Sequence, residues 1–136
     1  MAVSERNVDV VRRFHAAHDE ADFEAMLDLC TANVQLSPDA AVFPEADSMV
    51  GLEPLKSFLV GSAVAWVQAR YPISEASEVG DDRVLIRGDW GGTGVTSGVE
   101  MFSGLSAVYT LERGRISKAE YFFDHEQALK AVGSAE

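Results

Sequence analysis

The chain is nearly without cysteine. Cys30 is its one thiol in 136 residues, so no intrachain disulfide can form, and a reducing compartment suits it. Basic residues are scarce too: 11 Lys and Arg stand against 22 Asp and Glu, a formal net charge of −11. That excess of acid opposes the phosphate neutralisation of nucleic-acid binding and any attraction to an anionic membrane. No apolar run reaches membrane-spanning length. The opening residues, MAVSERNVDVVRRF, lack the basic start and continuous apolar stretch of a signal peptide. Low-complexity tracts, internal repeats and linkers are missing. What remains is 47% apolar, enough for a single core, so the expectation is one cytoplasmic domain, residues 1–136, with no nucleic-acid or membrane partner.

Helical spacing dominates the first half. Val8, Val11 and Phe14, with Val10 and Ala17 beside them, predict a helix from Ser4 to about His18. Asp22 can cap a second helix on which Phe23, Met26, Leu27 and Cys30 form one stripe. A brief strand at Val34 to Leu36 then runs into a loop with Pro38 and Pro44, long enough to suggest a lid or rim. Gly51 leads into a third helix over roughly 53–67. Strands follow. Val84, Ile86 and Trp90 alternate with Arg83, Arg87 and Asp89, the period of a half-buried antiparallel strand. GGTGVTSG reads as a flexible turn or bulge, and Gly104 as a bulge inside the next long strand. ERGR signals a tight hairpin, and the last strand enters a closing helix at Asp124. Helices kept apart from an antiparallel sheet make an α+β fold.

The candidate chemistry is sparse, and each candidate has a plain structural reading. Asp124 is a good N-cap, with Gln127 three residues on; it is also a carboxylate at the end of an aromatic strand, where desolvation would suit acid–base work. Arg87 and Asp89 share a strand face, either as a solvated ion pair or as an Arg-held carboxylate lining a cavity. His15 and His18 have a metal-site spacing, but no second motif supplies further ligands, so no metal is expected; His15 lies nearer the apolar stripe, as a pocket-facing polar group would. Cys30 reads as a small core residue. GGTGVTSG lacks the Lys–Ser/Thr pair of a phosphate loop, which excludes nucleotide binding by that route. Phe14, Phe58, Trp66, Tyr71, Tyr109, Tyr121 and Phe122 divide between core and candidate pocket wall.

Several of these stretches together resemble a known family. FHAAHDEADFEAML, NVQLSP, GLEPLKSFL and VYTLERGRISKAEYFFDHEQALKAVG are similar to the nuclear transport factor 2-like superfamily, in its SnoaL-like small-molecule branch, over roughly residues 6–133. The resemblance implies a curved antiparallel sheet wrapped on the helices as a conical barrel, an apolar pocket, and a homodimer through the sheet. Matched to SnoaL-like polyketide cyclases, the acid–base Asp of the last strand falls on Asp124. Matched to limonene-epoxide-hydrolase-like enzymes, Arg87, Asp89 and Asp124 are the catalytic set, while the Tyr and Asn that hold the water are absent from VQLSPD. Ser37 stands where ketosteroid isomerase has its base.

The expectation is therefore an enzyme without metal or organic cofactor, using Asp124 and an Asp89 oriented by Arg87. Its substrate is a small apolar or polyketide-like molecule held by Phe14, His15, Phe58, Trp66, Tyr109 and Phe122. The chemistry is of cyclase or isomerase type. The alternatives are an epoxide hydrolase and a non-catalytic ligand-binding or dimerisation module.

Overall fold

The stripe of Val10, Val11, Phe14 and Ala17 builds α1 (Val3–Asp19), and all four side chains are buried. A computed structural model describes residues 3–37, 49–64 and 66–133, without the side chains of 3–6 and 62. The loop carrying Pro38 and Pro44 lies outside the described residues. Asp22 caps α2 (Phe23–Asp28) as its position suggests, accepting from the Ala25 N–H. Cys30 does not belong to that helix. Leu29 ends it, and Cys30 opens β1 (Cys30–Ser37), buried opposite Ile116. After β2 (Met49–Val50), Gly51 turns into α3 (Leu52–Ala63) at φ 108°, a backbone conformation that favours glycine. This helix stops before Trp66.

Then come β3 (Ile73–Val79), β4 (Arg83–Thr93), β5 (Glu100–Glu112), β6 (Arg115–Phe122) and α4 (His125–Ala131). Strand β4 runs through Gly91 and Gly92, so the expected flexible turn starts later. Gly104 pairs with Asp89 in an unbroken ladder and is no bulge. Arg113 (φ 52°) and Gly114 (φ 80°) make the tight β5–β6 hairpin that ERGR signals.

The six strands form one curved sheet in the order β2-β1-β6-β5-β4-β3. Neighbours are antiparallel except β1 and β6, which run parallel. This is the expected curved sheet packed on the N-terminal helices; it is unclosed, with β2 and β3 at its edges among the described residues.

The two faces differ in cover. Helices α1, α2 and α3 cover the inner face. Val84, Ile86, Leu105, Ala107, Tyr109, Leu111, Ile116 and Ala119 join the helical stripes there in the main core. Among the described residues, α4 alone lies on the outer face, where Ala128 and Val132 pack on Leu85 and Val108, and the Ser106 hydroxyl meets His125 Nδ1 at 2.6 Å. Each fully buried Val, Leu or Ile stabilises the fold by roughly 1.5–3 kcal/mol.

Candidate functional site

Strand parity decides where the expected carboxylates go. Residues 84, 86 and 90 of β4 pack into the inner core, so Arg87 and Asp89 emerge on the outer face, and both are exposed. Asp124 follows Phe122, which packs with the outer cluster under α4. Its carboxylate is exposed and accepts from the Glu126 N–H at 2.9 Å, as the N-cap of α4. The expected set of Asp124, Asp89 and Arg87 therefore does not converge on an enclosed space, and the enclosure on which its acid–base role depended is missing. Phe122, expected to touch substrate, shares the outer face. The cap has a measurable value: Asp124→Ala should lower stability by about 1 kcal/mol in urea unfolding, while Asp124→Asn, an equally good cap, should change it by a few tenths.

The inner face holds a different constellation. His15 is buried, and both ring nitrogens are engaged: Nδ1 lies 2.9 Å from the Tyr71 carbonyl oxygen and Nε2 2.8 Å from the Tyr109 hydroxyl. One turn on, Asp19 Oδ1 accepts from the Tyr71 N–H at 2.8 Å and also meets His18 Nδ1 at 3.3 Å. The i, i+4 pair His15 and Asp19 thus grips both backbone groups of Tyr71 and ties α1 to the segment entering β3. The histidine spacing serves this clamp. Among the described residues no group of His, Cys, Asp and Glu is placed to hold a metal ion. Cys30 is inert as well: burial pushes its thiol up to about 12.

Chemistry fixes the direction of the hydrogen bonds. A carbonyl only accepts, so His15 Nδ1 carries a hydrogen. Burial holds the imidazole neutral, with a pKa lowered to about 4. Nε2 therefore accepts, and the Tyr109 hydroxyl donates to it. Tyr109 oxygen can then only accept from Tyr121, whose hydroxyl is 3.4 Å away, long for a bond between hydroxyls. Tyr71 donates to the Leu105 carbonyl at 2.7 Å. Burial raises all three phenols, Tyr121 to about 12, so all are neutral donors near pH 7. Of the three protons, only that of Tyr121 is loosely held.

Burial declines along this face. The rows Val84–Tyr109–Ala119 and Ile86–Ala107–Tyr121 lie deep, with Tyr121 itself half-buried. Farther along come Gly88–Leu105 and then Trp90–Ser103, where Trp90 is half-buried and Ser103 exposed. Phe58 and Phe123 are half-buried against the same core. Tyr121, Trp90, Phe58 and Phe123 are thus the half-buried aromatic rings of this core, and Tyr121 carries its one loosely held hydroxyl. Of the residues expected to bind substrate, Phe58 is half-buried against the core, and Trp66 stands beside Trp90 with ring centroids 5.5 Å apart. Phe14, His15 and Tyr109 lie too deep, each at most 4% exposed. The sequence marks Tyr121 as core or pocket wall without separating it from Tyr71 and Tyr109, and marks Trp90 only as an inward-facing strand residue. A strand turning polar right after YFF was the available signal for Tyr121.

A family model for the SnoaL-like domain matches residues 11–119. The chain belongs to the SnoaL-like domain family. The matched span includes the His15–Tyr109 pair and ends before Tyr121 and Asp124. No curated protein sequence matches closely enough to count as a relative. Among solved structures, a candidate SnoaL-like polyketide cyclase from Jannaschia sp. CCS1 superposes with a TM-score of 0.78 at 15% identity, covering 98% of this chain and 96% of that one. TerC, co-crystallised with polyporic acid, gives 0.74 at 19% identity, covering 93% and 98%. An NTF2-like protein of unknown function from Burkholderia pseudomallei K96243 gives 0.74 at 19%, covering 94% and 98%. At these identities the likeness shows a shared fold. Among the described residues of this SnoaL-like chain, no helix is long and apolar enough to cross a membrane.

Proposed function

We propose that this SnoaL-like domain holds a small, flat, largely apolar molecule against the less buried end of its inner face, and that Tyr121 donates a hydrogen bond to a carbonyl-type oxygen of that molecule. The unequal commitment of the three phenols carries the reading. Tyr71 and Tyr109 spend their protons at 2.7 and 2.8 Å, whereas among the described residues Tyr121 has only a 3.4 Å partner. Turning that donor to a ligand gives up little, and a donor in an apolar setting polarises a carbonyl strongly. Such polarisation acidifies the protons next to the carbonyl, which suits the cyclase or isomerase class. The neighbours that are a candidate polyketide cyclase and a protein co-crystallised with polyporic acid support the same class. The epoxide-opening alternative needs Arg87, Asp89 and Asp124 together and is not carried forward. Binding without turnover would use the same contacts. The expected homodimer has a candidate surface in exposed Val95, Val99, Met101 and Phe102.

Titration with 4-acetylbiphenyl, followed through tryptophan fluorescence, tests the reading. Tyr121→Phe should bind roughly fivefold more weakly, the value of one net hydrogen bond. Asp124→Asn should bind like the parent. Equal affinity in the Tyr121 variant, or a loss confined to the Asp124 variant, would overturn the assignment.

A further inference from the structure

Gly91 and Gly92 do not form a loop. The segment after α3 lies along them, with Val67 N–H donating to Thr93 O at 2.7 Å, Arg70 N–H to Gly91 O at 2.8 Å, and Gly91 N–H to Arg70 O at 3.0 Å. A Cβ on Gly92 would fall 2.5 Å from the Gln68 carbonyl oxygen and 3.2 Å from Trp66 Cβ. By parity Gly92 shares the inner face with Trp90. Gly92 therefore lets the 66–70 segment settle on β4 and sets Trp66 beside Trp90, edge-on at 89°.

That placement leaves one polar group unexplained. Trp66 Nε1 is closed off from solvent and has no hydrogen-bond partner among the described residues. An indole N–H is a donor only, and a buried donor without an acceptor is a cost that native structures usually avoid. A ligand oxygen within reach of Nε1 would remove that cost and offset the loss of the edge contact with Trp90.

We infer that Trp66 is a second recognition residue of the same site, giving its indole N–H to a hydrogen-bond acceptor at the end of the ligand remote from Tyr121; this rests on the Tyr121 reading above. The register sets the scale. Tyr121 stands level with Ile86, four residues along β4 from Trp90, which is about 13 Å of strand. The ligand class is an elongated, flat molecule with an acceptor oxygen near each end.

The test uses three probes of one shape: biphenyl, 4-acetylbiphenyl and 4,4'-diacetylbiphenyl. The protein carries 5-fluorotryptophan, and with two tryptophans in the sequence it gives two fluorine resonances, assigned with Trp66→Phe. The diacetyl probe should shift the Trp66 resonance and bind roughly tenfold tighter than the monoacetyl probe. Trp66→Phe, which keeps an aromatic ring, should abolish that advantage, weakening the diacetyl probe far more than the monoacetyl probe. A merely structural Trp66 would weaken both probes alike or neither, and that result overturns the inference. Monoacetyl binding that stays sensitive to Tyr121→Phe would then leave the Tyr121 site standing. If no acetylated probe binds better than biphenyl, the Tyr121 site and the Trp66 inference fall together.

Discussion

Acidification from pH 7 to pH 4 should remove about 3 kcal/mol of stability through His15 alone. Its folded pKa is lowered from 6.5 to about 4, chiefly by burial. Below pH 6.5 the unfolded chain takes up a proton that the folded chain refuses. The stability is whole above the unfolded pKa and is lost progressively as pH falls towards the folded one. Protonation would also place a hydrogen on Nε2, where Tyr109 donates, and so break the relay that ends at Tyr121. His15→Gln retains a donor and an acceptor and does not titrate. It should be less stable at pH 7 by roughly 2 kcal/mol, from lost packing against Phe14, Tyr71 and Tyr109. Its deficit relative to the parent should shrink between pH 6.5 and pH 4. Urea unfolding of both proteins across that range measures the gap, and a constant gap would mean that His15 is not held neutral.

Gly91→Ala should cost roughly 3 kcal/mol, near the upper end for overpacking. The new Cβ would strike the Met101 carbonyl oxygen and lie 2.9 Å from Phe102 Cα. Both are backbone atoms of the neighbouring strand, which cannot yield without opening the β4–β5 ladder. Gly104→Ala is the matched control: it stands in the same ladder, and nothing lies within 4 Å of its added Cβ. Its stability should stay within about 0.5 kcal/mol of the parent. Thermal unfolding of the pair reads the difference directly. Equal stabilities would show that β5 is not held against Gly91 as described.

Local signals carried most of the architecture. The caps at Asp22 and Asp124, the Arg113–Gly114 turn and the period of two in β4 are each decided within a few residues, and each is present. Facing was harder at the end of β6. The register shifts between Thr110 and Leu111, so Ile116 joins the inner core while Phe122 goes to the outer cluster. Counting by twos from Ile116 to Asp124 passes over that irregularity, and a gapless count against relatives has the same blindness. For Arg87 and Asp89, parity alone indicated the outer face; the resemblance to a hydrolase triad pointed the other way, and parity prevailed. Trp66 was assigned to a helix because its neighbours are apolar. The determinant is Gly92, far along the sequence, which lets Trp66 and the segment after it lie on β4. His15 showed its polarity in the sequence but not its partners, since Tyr71 and Tyr109 reach it only through the tertiary fold.

The account rests on a phenol, not a surface carboxylate, meeting the ligand's oxygen. The carbonyl stretch of 4-acetylbiphenyl, labelled with carbon-13 at the carbonyl and recorded by infrared difference spectroscopy, reports that contact directly. Bound to the parent protein and to Asp124→Asn, the band should move to lower frequency than in an apolar solvent; in Tyr121→Phe it should return towards the solvent position. A lowered band that persists in Tyr121→Phe, or is lost in Asp124→Asn, would contradict the account.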